Sequence, residues 1–182
     1  MNDSATQPAL SVAIVWHRVG PALTRSTADH FDWFFETDRD ESVLLLTFAT
    51  DTLPTPPARA TGESGGVAEK SAEPPGLWTG PANWLARHRR RYLTYEGTLA
   101  GDRGELAIAA TGSHRIVASD EQHFVSDCTL HPKPLAVQQL TTRASITCRC
   151  RFYRNVAGQS PGRLCVEWEG ALREGRPSER DV

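Results

Sequence analysis

No stretch of the sequence approaches the ~20 consecutive apolar residues that a membrane-spanning helix needs, so membrane partners are not expected. Residues 1–10 are polar and have neither the basic start nor the apolar run of a secretory signal, which makes a cytoplasmic location the expectation. Lysine is nearly missing: Lys70 and Lys133 are the only two, and arginine supplies the other basic groups. The formal net charge of -2 excludes a general electrostatic attraction for nucleic acid. Local recognition of phosphate stays open, because each guanidinium offers a planar fork of donors. Cysteine is scarce as well, with four residues at Cys128, Cys148, Cys150 and Cys165. Their spacing lacks the paired C-x₂-C pattern of structural zinc sites, and nothing points to secretion, so ordinary thiols are expected.

What is present is a globular composition, with 39% apolar residues among 182. A chain of this size buries roughly 70% of its unfolded surface in one domain. Residues 11–17 (SVAIVWH) form a β-branched apolar run, a first strand. Residues 30–37 alternate, so Phe31, Trp33 and Phe35 share one face and His30, Asp32, Phe34 and Glu36 the other. Residues 42–50 read as a third, more buried strand. Further short strands are expected over 92–96, 105–111, 114–119, 123–130, 145–153 and 163–168, between turn signals.

This pattern predicts a mainly β fold, a small closed or partly open antiparallel β-barrel, with one short helix at 81–87 behind Pro81. Residues 51–80 carry Pro54, Pro56, Pro57, Pro74 and Pro75 and read as a long, mobile Pro/Gly-rich insertion. The single domain is expected over 11–172, with flexible ends at 1–10 and 173–182.

Two clusters could carry chemistry. His30 and Asp32 lie two apart in a strand and project from one face, and His17 ends the preceding strand. A hairpin-like return would bring two imidazoles and a carboxylate together, a natural ligand set for a divalent first-row metal with coordination positions left open. Taken alone, H-x-D equally fits a polar strand face. The second cluster runs His88-Arg-Arg-Arg-Tyr92-Leu-Thr-Tyr-Glu96-Gly97. Its spacing aligns His88, Tyr92 and Glu96, and Arg89, Arg90 and Arg91 offer phosphate-binding forks. A solvated basic turn is the alternative. His114, His123 and His131 are expected to be surface residues without a role.

Together the clusters resemble the 3′-phosphoesterase module of bacterial DNA ligase D. That family has a histidine ahead of a motif H-Y-D-x-R-L-E, then H-P-L-D-Y-x-x-F-E-G and a glycine-rich strand pair. Here the first motif is His30-Phe-Asp32-Trp-Phe-Phe-Glu36 behind His17, the second keeps its internal spacing, and Gly101, Gly104 and Gly112 fall where the family places glycines. The resemblance implies a manganese-like ion (with zinc or iron as alternatives) on His17, His30 and Asp32. It implies that His88 and Tyr92 contact the scissile phosphate, with Glu36 supporting the site from behind. The implied activity is removal of a 3′-terminal phosphate or ribonucleoside from a DNA or primer end, with a DNA ligase or end-joining machinery as the implied partner.

The sequence departs from that pattern where Phe34 and Gly80 replace family arginines, and where residues 1–10 lack the family's catalytic acidic and basic groups. These departures keep open a catalytically weak or inactive nucleic-acid or partner-binding module of the same fold, or a structural β domain with incidental histidines.

Overall fold

A computed structural model describes residues 9–23, 28–54, 76–135, 145–154 and 162–168. Nine strands form one antiparallel sheet: β1 (Leu10–Val19), β2 (His30–Phe35), β3 (Leu46–Thr50), β4 (Leu77–Trp84), β5 (Gly97–Leu99), β6 (Gly104–Ser119), β7 (His123–Pro132), β8 (Ile146–Tyr153) and β9 (Gly162–Trp168). The order β1-β2-β3-β4-β9-β8-β7-β6 is closed by a β6–β1 pairing, giving an eight-stranded barrel with β5 as an extra strand on β6. Closure removes the exposed edges that an open sheet of this length would carry. The helical content of the described residues is a single 3₁₀ turn at Arg90–Leu93.

Alternating residues fill the interior. Phe31, Trp33 and Phe35 point inward with Phe48, Phe124, Phe152, Leu164 and Val166. Cys128, Cys148 and Cys150 are free, buried thiols in the same core. The Phe48 and Phe152 rings stack at a centroid distance of 3.7 Å. β6 carries one extra residue where the β1 register shifts between Ile14 and Val15, a bulge that bends the wall of the barrel. A second shift expels Val117, which is exposed.

The alternation seen in the sequence holds for β2, but both of its faces are buried. The outer face is roofed: Ala13, Val15, Phe34, Leu45, Leu106 and Ile108 pack beneath Leu93 and Leu99, with Tyr92 and Tyr95 beside them. A second, smaller core thus lies outside the barrel, and the ionisable residues of β1 and β2 sit at its margin.

Several sequence expectations need correction. Residues 81–84 are strand, not helix: Pro81 pairs opposite Arg163, and β3 reaches only Asn83 and Trp84 of β4. The Pro81 stretch therefore has a partner strand on one side only, where a missing N–H is tolerated. The helical turn instead falls at Arg90–Leu93, overlapping the start of the expected strand 92–96. Residues 77–80 belong to the barrel and not to an insertion, while 55–75 lie outside the described residues. Expected strands 105–111 and 114–119 are one continuous β6. Leu10 already begins β1, so the flexible-end expectations concern residues 1–8 and 173–182, which lie outside the described residues.

Candidate metal centre

The antiparallel register sets His17 directly opposite His30, with Asp32 opposite Val15 one pleat along. All three side chains emerge on the outer face of the barrel and are buried. His17 Nδ1 is 3.5 Å from Asp32 Oδ2, and His30 Nε2 is 3.5 Å from Asp32 Oδ1. One ligand atom from each residue lies within 4.8 Å of the others.

The protons on these rings are set by their other contacts. His17 Nε2 lies 3.0 Å from the Arg103 carbonyl, and His30 Nδ1 lies 3.0 Å from the Ala28 carbonyl. A carbonyl only accepts, so both of these nitrogens donate, and in the neutral rings the lone pairs sit on His17 Nδ1 and His30 Nε2. Both lone pairs are turned toward the Asp32 carboxylate. His17 Nδ1 and Asp32 Oδ1 are buried without a hydrogen-bond partner. Three acceptors converging in a buried site call for a cation, and backbone carbonyls orienting the imidazoles are the support that metal-binding histidines use. Burial pushes the Asp32 carboxyl up, but in the metal-free site protons carried by the facing nitrogens of His17 and His30 outweigh it and hold it at about 2, and a bound cation would take the place of those protons. The carboxylate is therefore ionised at neutral pH, as a ligand must be.

His88 and Tyr92 approach the same place from the second motif. An isolated bridge, Leu45 N–H to His88 O at 2.7 Å and His88 N–H to Leu45 O at 3.1 Å, ties His88 to the start of β3. The Thr47 hydroxyl donates to Leu45 O at 3.2 Å, so it accepts from His88 Nδ1 at 3.1 Å. The imidazole of His88 thus carries its lone pair on Nε2. Phe34 lies beneath, stacked on Tyr92 at 5.5 Å and edge-on to His88 at 5.4 Å. His17, Asp32, Phe34, His88 and Tyr92 line one cavity of about 180 Å³, together with Leu23, Leu99, Arg103 and Leu106.

The remaining candidates lie elsewhere. Glu36 sits beyond the end of β2 and accepts from Ser11 N–H at 2.6 Å, and its other oxygen pairs with Arg90. It braces the 3₁₀ turn and does not reach the metal-type cluster. Arg90 and Arg91 line a separate groove with Glu36, Thr111 and His131. Arg91 also lies 5.3 Å from the centroid of the Tyr92 ring, and Arg89 is exposed. None of the three arginines lines the cavity. Glu96, expected to align with His88 and Tyr92, accepts instead from Ile108 N–H at 2.8 Å. Gly80 is covered by the indole of Trp78, which a Cβ would meet at 2.3 Å, so a longer side chain there requires the indole to move aside.

Two contributors escaped the sequence reading. Thr47 sets the His88 tautomer, and Arg103 both holds His17 and lines the cavity. The only local signal at Arg103 was a turn, Gly101-Asp102-Arg103-Gly104. His114, expected at the surface, is buried, with contacts from its ring nitrogens to Ser126 Oγ at 2.7 Å and Glu36 O at 2.9 Å. The chain matches no known protein-family model and no curated protein, so the reading of the site rests on its own geometry.

Proposed function

We propose that this protein is a metal-dependent phosphoesterase of the DNA ligase D 3′-phosphoesterase type, acting on the 3′ ends of DNA or primer strands. The observation that carries the reading is the convergence of His17, His30 and Asp32 with both imidazole protons turned outward. Manganese is the proposed ion, and zinc or iron suits the same donors. When bound, a divalent ion supplies Lewis-acid polarisation of the phosphoryl group.

The protein's own residues do the rest. His88, held through Nδ1 by Thr47, presents Nε2 to a phosphoryl oxygen, where it exchanges a proton or, once protonated, steadies negative charge. Tyr92, edge-on to His88 at 5.5 Å, restricts the imidazole and acts as a positioning residue. Leu23, Leu99 and Leu106 give the cavity apolar walls, which strengthen charge interactions inside it. The cavity is smaller than the ~300–1,000 Å³ of sites that enclose a drug-sized ligand. A terminal group fits such a space better than a whole nucleotide. A DNA ligase or end-joining machinery is the proposed partner.

The test is phosphate release from a 3′-phosphorylated primer in the presence of manganese. We expect release by the wild type and its loss in His30→Ala and Asp32→Ala; a wild type inactive on every 3′-modified end contradicts the reading. A second reading is a binding module without turnover, favoured by the engagement of Arg90 by Glu36 and the burial of Phe34. That reading expects metal-dependent DNA binding without phosphate release.

A further inference from the structure

Arg103 is the one arginine or lysine among the described residues lining the cavity. Its backbone and side chain are committed to different tasks. The carbonyl accepts from His17 Nε2 at 3.0 Å and from Gly20 N–H at 3.2 Å. The side chain is held at Nε, which donates to Ala100 O at 2.9 Å, and this leaves the two terminal amino groups to act elsewhere. No ion pair with a described carboxylate engages this guanidinium, which is exposed at the turn.

The turn that carries Arg103 is fixed against β1. Asp102 and Gly104 have φ of 49° and 115°. A Cβ on Gly104 would meet Arg18 O at 2.0 Å, and one on Gly20 would meet Asp102 O at 2.2 Å. The Arg103 position is therefore set by close backbone contact and not by a flexible loop.

We propose that Arg103 is the phosphate-binding residue of this cavity, pairing its terminal amino groups with nonbridging oxygens of a phosphate monoester. This rests on the phosphoesterase reading and narrows its substrate class. A monoester carries nearly two negative charges near neutral pH, while a diester carries one. A permanent cation beside the site thus favours a 3′-terminal phosphate over a 3′-terminal ribonucleoside linkage. It also offsets the repulsion that Asp32 exerts on an incoming anion.

Calorimetry with inorganic phosphate, on protein loaded with one equivalent of manganese, tests this assignment. We expect Arg103→Gln to weaken phosphate binding by roughly 10–100-fold, the scale of a lost charged hydrogen bond. Arg103→Lys should fall between, since it keeps the charge and loses the fork. Manganese affinity should be unchanged in both, because the backbone carbonyl that orients His17 survives the substitutions. Arg163→Gln, on the far strand β9, should bind phosphate as the wild type does. Phosphate binding by Arg103→Gln as tight as the wild type overturns the assignment and leaves the phosphoesterase reading standing. An equal loss of manganese affinity also overturns it, since Arg103 then acts through His17. A manganese-loaded wild type that binds no phosphate overturns the underlying reading itself.

Discussion

Phe34 is 1% exposed and lies against both Tyr92 and His88, so its ring is the floor on which the second motif rests. Truncating a buried phenylalanine costs about 3–5 kcal/mol. We therefore expect Phe34→Ala to lower unfolding free energy by that order in urea denaturation, and Phe34→Leu to cost clearly less. A loss near zero for Phe34→Ala would contradict the packing. That His30 and Asp32 share a face was readable from β pleating, whereas setting His88 and Tyr92 beside them rested on the resemblance to the phosphoesterase motifs, since nothing local joins the two clusters. Arg103 and Thr47 were not readable. Their roles depend on which carbonyl or hydroxyl a distant histidine meets, and that is decided by strand register and turn placement.

The 3₁₀ turn Arg90–Leu93 is held to the barrel by the Arg90–Glu36 pair and the Leu45–His88 bridge. Glu36 is almost fully buried while Arg90 is about one-third exposed, so solvent screens part of the pair. Removing the arginine leaves a buried carboxylate short of one partner, a change worth about 1–3 kcal/mol. Arg90→Ala should destabilise the protein by that amount in urea denaturation, and Glu36→Gln should restore part of the loss in the double variant. Equal stability of Arg90→Ala and wild type would show that the turn is held by other contacts. Gly104→Ala should cost more than about 1 kcal/mol, since the residue adopts φ of 115°. It should also weaken manganese binding, because the turn orients His17. Turn glycines were visible in the sequence as punctuation. The exchange of helix for strand at residues 81–84 was not, because Pro81 suits both a helix start and a strand with one open side.

Barrel closure places His114 inside the molecule, between Ser126 and the Glu36 carbonyl, where burial lowers its pKa below the ordinary 6.5. The folded state therefore keeps this imidazole neutral, while the unfolded chain takes up a proton as pH falls below 6.5. His114 thus contributes to acid destabilisation, by up to about 1.4 kcal/mol per pH unit for one proton. His114→Gln should be less stable than the wild type near pH 7.5, yet lose less stability on acidification to pH 5. Parallel stability curves would contradict a buried neutral histidine. The mainly β barrel itself was legible in the sequence, from short alternating strands between turns. Its full closure was not, since the β6–β1 pairing joins segments about ninety residues apart through a register that no local pattern encodes.

The central claim is that His17, His30 and Asp32 hold a divalent ion at the margin of the cavity that His17 and Asp32 line with His88. Calorimetric titration of the purified protein with manganese tests it most directly. The account predicts one ion bound per chain in the wild type and no measurable binding in His30→Ala or Asp32→Ala. Absence of binding in the wild type, or equal affinity in the variants, would contradict it.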